Sequence, residues 1–278
     1  RITIFIKKGV YEEKVDVHSW NTKIALVGES RDETIITYGD HFGKIGRGRN
    51  STFFTYTLRV QGNDFYARNL TVQNSAGPVG QAVALHVEAD RAVFENCRFL
   101  GHQDTVFAAG EGSRQYFKDC YIEGTTDFIF GPATAVFEGC RIHAKKDSYI
   151  TAASTPKGEP FGFVFLDCRL TADPGVNEVY LGRPWRDYAR TVFIRCEMGP
   201  HVRPEGWHNW SRPEAEETAF YAEYDNRGPG ADRSRRVAWS KRLSPSEAER
   251  YTKERIFSGR PSSAKAESRW YRTAAPQY

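Results

Sequence analysis

The chain has 278 residues, of which 40% are hydrophobic and 27% charged, and its formal net charge at pH 7 is +4. These proportions are those of a globular chain and exclude a disordered or fibrous protein, and no apolar run approaches the ~20 residues of a membrane-spanning helix. The Lys and Arg residues form no long run, so we expect neither a nucleic-acid nor a membrane partner.

The first predicted element is a strand in the opening segment RITIFIKKGVY (1–11), which alternates apolar and polar residues. This segment has none of the features of a secretory signal peptide. The start of the chain therefore does not indicate a compartment.

A short pattern then recurs along the chain, in which a Phe is followed three residues later by a Cys. Its five copies are VFENCRF (93–99), YFKDCYI (116–122), VFEGCRI (136–142), VFLDCRL (164–170) and VFIRCEM (192–198). The segment FYARNLTV (65–72) is an earlier copy, with Leu70 at the cysteine position. Apolar and polar residues alternate within each copy, and Gly, Asn, Asp or Pro residues interrupt the pattern, so each copy predicts a strand.

Adjacent copies are 20 to 28 residues apart, which favours a β-solenoid. The Leu-x-x-Leu-x-Leu pattern of leucine-rich repeats is missing, and a propeller blade needs about 40 residues. The sequence therefore predicts an all-β parallel β-helix. Equivalent residues of adjacent coils would lie about 4.8 Å apart, so that the Cys and Phe residues form ladders in the core.

The five cysteines lack both CxxC spacing and His partners at metal-ligand offsets, which argues against a metal site. We interpret them as buried apolar residues. The ladder spacing also allows one adjacent pair to form a disulfide, and Cys120 with Cys140 is the candidate.

An aspartate stands seven residues after the cysteine in three consecutive copies: Asp104, Asp127 and Asp147. On adjacent coils two such carboxyl groups would lie side by side, so that one keeps its proton while the other ionises. The repeat alone does not choose among the three. Asp104 and Asp127 lie among apolar residues and Asp147 in a polar stretch, which favours the first two, although an Asp at a strand end commonly serves a turn.

Two glutamines accompany these acids. Gln103 directly precedes Asp104, and Gln81 lies one coil earlier in GQAVALHV (80–87). Their amide NH₂ groups could donate to a developing oxyanion, although a single Gln is more often a surface residue.

Arg183 in YLGRPWRDYAR (180–190) could bind a carboxylate through two hydrogen bonds, or it could form a surface salt bridge. Trp185 follows it. Phe107, Trp207 and Trp210 could stack on sugar rings, with packing in the core as the equal alternative.

The sequence resembles the pectin methylesterases, a family of carbohydrate esterases. The resemblance runs from residue 1 to about 258 and rests on five segments in family order: GVYEEKV (9–15), GQAVAL (80–85), GHQDTVF (101–107), DFIFG (127–131) and LGRPW (181–185). It implies a right-handed parallel β-helix over 1–258 and hydrolysis of the C6 methyl esters of galacturonate units in pectin.

The resemblance also implies a role for each site residue. Asp127 would be the nucleophile, and Asp104 the general acid and then base. Gln81 and Gln103 would form the oxyanion hole, and Arg183 would orient Asp127. Substrate contacts would come from Thr52, Phe53, Thr126 and Trp185, and we add Phe107, Trp207 and Trp210 as further candidates.

We expect no metal or organic cofactor, pectin as the partner, a monomer, and a secreted or periplasmic location. Many family members have Tyr where this chain has Phe107. They also begin with a strand and short helix that cap the solenoid. This chain starts after that segment, so we expect an uncapped first coil.

At the other end, the segment 220–243 predicts a last strand and loop. The segment PSEAERYTKERIF (245–257) predicts one closing helix with Ser244 as its N-cap. Residues 259–278 are polar and basic and predict a mobile tail, in which Trp270 and Tyr271 could dock.

Two alternatives stay open. A pectate lyase or polygalacturonase would share the fold, but it would need a calcium-binding acid cluster or carboxylates spaced about a water molecule. A non-catalytic β-helical carbohydrate-binding protein would keep the groove and lose turnover. The sequence favours the esterase because it contains both aspartates, both glutamines and the arginine.

Overall fold

The structure is a computed structural model that describes residues 1–258 and 270–272. Its strands form three parallel sheets, and from Ile2 to Gly182 each coil contributes one strand to each sheet in turn. The predicted right-handed parallel β-helix is confirmed. No helix among the described residues has the length and apolar character needed to cross a membrane.

The first sheet consists, within the described residues, of Ile2–Ile6, Ile24–Gly28, Tyr66–Arg68, Ala92–Glu95, Arg114–Lys118, Thr134–Glu138, Phe163–Leu166, Arg190–Ile194, Phe220–Tyr224 and Lys241–Arg242. The second consists of Gly9–Glu12, Thr34–Tyr38, Thr71–Asn74, Arg98–Leu100, Tyr121–Gly124, Arg141–Ala144, Arg169–Ala172 and Glu197–Met198. The third consists of Val15–Val17, Leu58–Val60, Leu85–Val87, Val106–Ala108, Ile129–Gly131, Tyr149–Ala153 and Tyr180–Gly182.

Short helices connect or follow these strands. Within the described residues, the 3₁₀-helices include Phe42–Lys44, Gly48–Phe54 and Pro229–Ala231, and the α-helices are Ala215–Thr218, Pro245–Ala248 and Lys253–Phe257.

The repeated phenylalanines form the predicted ladder in the core. Phe94, Phe117, Phe137, Phe165 and Phe193 are paired in register across the first sheet. Their rings stack with centroids 4.8, 4.7, 4.6 and 4.3 Å apart. Offset ring stacking adds to the burial of apolar area, so each coil stabilises the next.

A left-handed backbone conformation recurs in the turn between the first and second sheets. The residue before each of the five repeat cysteines has a positive φ: Asn96 (50°), Asp119 (53°), Gly139 (62°), Asp167 (53°) and Arg195 (54°). Asn, Asp and Gly adopt this conformation more readily than other residues. After each turn the next residue points into the core, where the small cysteine side chain is buried.

All five cysteines are buried and free, so the candidate disulfide between Cys120 and Cys140 is not formed in the structure. The Cys120 thiol donates to the carbonyl of Phe94 at 3.5 Å, and the Cys140 thiol to that of Phe117 at 3.4 Å. Each thiol thus interacts with the backbone of the preceding coil.

The C-terminal segment covers the outer face of the first sheet. Ser244 caps the helix Pro245–Ala248 through a capping box, as predicted. The single helix predicted for 245–257 is wrong, because Thr252 has an extended conformation and its side chain caps a second helix, Lys253–Phe257. Of the predicted tail, residues 259–269 and 273–278 lie outside the described residues.

Phe257 anchors this segment. Its ring lies 5.9 Å from that of Tyr116 on the first sheet and 5.2 Å from that of Tyr271. Tyr271 is buried and Trp270 half-buried, so this part of the predicted tail docks on the solenoid.

Candidate active site

Two buried aspartates occupy equivalent positions on adjacent coils. Asp104 stands two residues before Val106, and Asp127 stands two residues before Ile129. Val106 and Ile129 are strand residues of the third sheet and are paired in register. Asp104 and Asp127 have φ values of 66° and 50°, which an Asp tolerates better than most residues. Their exposed fractions are only 8% and 6%. The turn between the second and third sheets therefore places two carboxyl groups next to each other.

Arg183 binds one of these carboxylates side-on. Its Nε donates to Oδ1 of Asp127 at 2.9 Å and its Nη2 to Oδ2 at 2.7 Å. A Cβ atom on Gly182 would lie 2.0 Å from Oγ1 of Thr151, so glycine lets this strand pack against its neighbour. Arg183 comes directly after that close contact and is held near Asp127.

The surroundings of the two carboxyl groups shift their pKa values to different extents. Burial raises the pKa of Asp104 well above its ordinary value, and the charge of Asp127 raises it further. Burial also raises the pKa of Asp127, but the hydrogen bond and charge of Arg183 oppose that rise. Asp104 therefore holds its proton more strongly than Asp127, which is the better anion.

Asp147, the third acid at the same repeat position, lies apart from this pair. It is exposed, and its Oδ1 accepts the backbone N–H groups of Asn177 and Glu178, each at 2.8 Å. It serves a surface turn, which is the ordinary role of an Asp at a strand end.

Gln81 and Gln103 are neighbours on adjacent coils, joined by a parallel bridge. The backbone N–H of Ala82 donates to the carbonyl of Gln103 at 3.1 Å. Both glutamines are half-buried, and neither side-chain amide bonds to another residue in the described part of the chain. Both NH₂ groups are therefore free to donate beside Asp104.

Four aromatic side chains form an apolar floor on the outer face of the third sheet. Phe107 and Phe130 stack with ring centroids 4.5 Å apart, and Phe53 lies 5.0 Å from Phe107. The ring of Trp185 meets those of Phe107 and Phe130 edge-on at 6.4 and 5.8 Å. We call these four side chains the aromatic floor.

Phe130 was missed in the sequence analysis, although a signal for it exists. It follows Asp127 by three residues, just as Phe107 follows Asp104.

Trp207 is not a substrate contact, and the prediction for it is wrong. It is 1% exposed and stacks on Tyr221 with ring centroids 4.4 Å apart. It forms a bridge with Gly182 and belongs to the main core cluster. Its neighbour in sequence, Trp210, instead covers Arg183, with its ring centroid 3.6 Å from Cζ.

Two threonines predicted to contact the substrate lie next to residues of this site. Thr52 is buried within the 3₁₀-helix Gly48–Phe54, next to Phe53 of the aromatic floor. Oγ1 of Thr126 lies 2.8 Å from Oγ of Ser148. Tyr149 also reaches the site, with its ring centroid 3.9 Å from Cζ of Arg183, and no sequence pattern indicated it.

Comparison with known proteins matches the chain to one family. The sequence model of the family described as Pectinesterase matches residues 1–260. Pectinesterase 31 of Arabidopsis thaliana is 42% identical over 256 residues, which cover 89% of this chain and 80% of that protein. The probable pectinesterase/pectinesterase inhibitor 23 of the same plant is 39% identical over 271 residues, which cover 92% of this chain.

Solved structures of pectin methylesterases are also similar to this chain. The pectin methylesterase from carrot superposes with a TM-score of 0.87 at 36% identity, covering 93% of this chain and 84% of that one. The pectin methylesterase from Yersinia enterocolitica gives a TM-score of 0.80 at 31% identity, covering 92% and 93%.

The chain spans about half the length of some curated relatives, for example 47% of the pectinesterase/pectinesterase inhibitor 23. The family model nevertheless spans residues 1–260, the range in which both aspartates, both glutamines and Arg183 lie. The chain therefore belongs to the pectinesterase family.

Proposed function

We propose that this protein hydrolyses the C6 methyl esters of galacturonate units in pectin and releases methanol. The observation that carries the proposal is the pair of buried carboxyl groups, of which Asp127 is held by Arg183 and Asp104 has a raised pKa. One group can attack a carbonyl while the other supplies a proton.

In the first half of the reaction, a carboxylate oxygen of Asp127 attacks the ester carbonyl carbon. The carbonyl oxygen becomes an oxyanion, which the amides of Gln81 and Gln103 stabilise. The tetrahedral intermediate then collapses. Asp104 gives its proton to the methoxy oxygen, the C–O bond breaks, and methanol leaves an acyl-enzyme anhydride on Asp127.

In the second half, Asp104 is a carboxylate and acts as a base. It takes a proton from water, whose oxygen attacks the galacturonyl carbonyl carbon of the anhydride. The bond to Asp127 breaks, the product leaves as a carboxylic acid, and Asp104 is protonated again. Throughout, Arg183 keeps both oxygens of Asp127 oriented.

The aromatic floor supports a carbohydrate substrate. Aromatic faces beside a catalytic carboxyl pair suit the apolar faces of sugar rings. We propose that Phe53, Phe107 and Trp185 contact the polysaccharide, with Thr52 and Thr126 beside it.

The location and assembly of the protein are part of the same proposal. Pectin is a polymer of the plant cell wall and lies outside the cells that would secrete such an enzyme, which supports a secreted or periplasmic location. The monomer and the exclusion of nucleic-acid and membrane partners stay predictions.

One sample of protein tests the proposal against its rivals. Highly methylated pectin is assayed for methanol, for the absorbance of unsaturated uronides and for new reducing ends. We expect methanol alone. Double bonds would indicate a lyase and new chain ends a polygalacturonase, and either result without methanol would overturn the proposal.

Two matched variants test the mechanism. Asp127→Ala should abolish methanol release while pectin binding persists, because the groove remains intact. Asp147→Ala removes the exposed aspartate at the same repeat position and should leave activity unchanged. Equal activity of the Asp127→Ala variant would contradict the mechanism.

A further inference from the structure

The guanidinium of Arg183 is held between two aromatic rings. Its Cζ lies 3.9 Å from the ring centroid of Tyr149 and 3.6 Å from that of Trp210. Two rings this close to one atom cannot share a face of the guanidinium without overlapping, so one ring covers each face. The hydrogen bonds to Asp127 then leave through the edge of the group, which is the geometry of a bidentate carboxylate contact.

The loop that carries Trp210 is in a strained conformation. Trp210 and Ser211 have φ values of 59° and 55°, which residues other than glycine adopt rarely. The N–H of Trp210 donates to Nδ1 of His208 at 2.9 Å, and the N–H of Ser211 donates to Oδ1 of Asn209 at 2.9 Å. Strain that neighbouring groups maintain in this way commonly marks a functional position.

His208 supports the loop only while its Nδ1 lacks a proton. Its ring meets those of Tyr149 and Tyr180 edge-on at 5.5 and 5.3 Å. Burial lowers the pKa of His208, and the positive charges of Arg183 and Arg203 lower it further. The neutral imidazole is thus favoured, and it can accept the Trp210 N–H.

We propose that Tyr149 and Trp210 are positioning residues of the esterase reaction, which hold the Arg183 guanidinium edge-on to both oxygens of Asp127. His208 holds Trp210 in place. The inference rests on the proposed function, because it assigns these residues to the orientation of that nucleophile.

The two rings matter because they restrict the conformational freedom of the long Arg183 side chain. With one ring removed, the guanidinium can tilt, water reaches its open face, and one of the two hydrogen bonds is lost. The nucleophile then spends less time in line with the carbonyl carbon, and a small misplacement of a catalytic group can cost about a hundredfold in rate.

A second consequence concerns the protonation of Asp127. The groups that face it are Arg183, Asp104 and the buried Tyr221, and burial raises the pKa of both Asp104 and Tyr221. Arg183 is the cation that lowers the pKa of Asp127. Loosening Arg183 should therefore move the acid limb of the kcat profile to higher pH.

The experiment measures kcat and KM for methanol release across pH in Trp210→Ala and Tyr149→Ala. We expect kcat to fall about tenfold to a hundredfold with little change in KM. The acid limb should shift upward. Trp210→Phe and Tyr149→Phe keep an aromatic face and should restore most of the rate.

The chain offers a matched control. Tyr121 lies near two arginines, Arg98 and Arg141, with each Cζ 5.8 Å from its ring, on the outer face of the second sheet. Tyr121→Ala removes a comparable aromatic contact away from Asp127. Its kcat, KM and pH profile should match those of the unmodified protein.

If Trp210 stacks on the sugar instead, Trp210→Ala will raise KM and leave the acid limb in place, which would overturn the inference. Trp210→Leu and Tyr149→Leu keep apolar volume without an aromatic face. They give the same test if an alanine variant fails to fold, as judged by thermal unfolding.

A readout without turnover separates this inference from the proposed function. NMR of arginine side chains, with Arg183 assigned through Arg183→Lys, should show a slowly exchanging Nε–H and side-chain protons shifted by ring currents. Both features should disappear in Trp210→Ala and Tyr149→Ala, and unchanged spectra would contradict the inference. Absence of methanol release by the unmodified protein would instead overturn the proposed function.

Discussion

Asp104 is a carboxyl group whose pKa the fold raises, and the raised pKa has a consequence for stability. Burial and the neighbouring Asp127 raise its pKa in the folded protein above the value in the unfolded chain. Folding is therefore favoured while the group is protonated. This contribution is fully present below the unfolded pKa of about 3.9 and is lost as pH rises through the folded pKa.

Asp104→Asn removes the ionisation and keeps the shape. Its free energy of unfolding, relative to the unmodified protein, should rise with pH above about 4, by at most about 1.4 kcal/mol per pH unit. Urea unfolding from pH 4 to pH 8 measures the difference. Asp147→Asn, at an exposed position, should give a flat difference, and a flat difference for Asp104→Asn would contradict the raised pKa.

Single residues also show which parts of the site the sequence predicts and which it does not. Asp104 and Asp127 could be found because the repeat fixes their offset from a buried cysteine. Trp207 and Trp210 stand three residues apart in one loop, and nothing in their types tells which enters the core and which covers Arg183. Tyr149 meets Arg183 only because strands distant in sequence pair in the third sheet.

At the scale of the coil, the sequence predicted most of the fold because stacking requires the same residue type at the same place. The Phe ladder and the cysteine positions follow from that requirement. The closing segment belongs to no repeat. Its break at Thr252 depends on local capping and on packing against the first sheet, which the periodicity does not encode.

The turn before the cysteine is the element that can be tested most directly. Gly139 has a φ of 62°, and a Cβ there would lie 2.6 Å from Oδ1 of Asp119, an exposed side chain that can move. Gly139→Ala should thus cost about 1 kcal/mol, mainly from the left-handed conformation. Urea denaturation midpoints measure the loss.

Gly139→Asn is the matched variant. Asn96 occupies the equivalent turn with a φ of 50°, so asparagine should cost less than alanine at position 139. An equal loss for both variants would mean that the space around the Cβ, and not the backbone conformation, limits this turn.

On the scale of the whole molecule, the first and third sheets have different roles. The outer face of the third sheet holds the aromatic floor, and the turns that lead into its strands hold the carboxyl pair. The outer face of the first sheet is covered by the C-terminal segment, in which Phe257 is fully buried and its carbonyl accepts Nη1 of Arg114 at 2.9 Å. We therefore expect that a change in the C-terminal cover of the first sheet alters stability without altering catalysis at the third sheet.

Phe257→Ala tests that separation. Removing a buried Phe side chain should lower the free energy of unfolding by about 3–5 kcal/mol, because apolar contacts are lost and a cavity remains. Measured well below the unfolding temperature, kcat and KM for methanol release should stay unchanged, since the segment packs on a different sheet from Asp104 and Asp127. Trp20→Ala, at a side chain that is 75% exposed, should change stability by less than about 0.5 kcal/mol. A Phe257→Ala protein that is as stable as the unmodified one, or that loses activity while still folded, would show that the two faces are coupled.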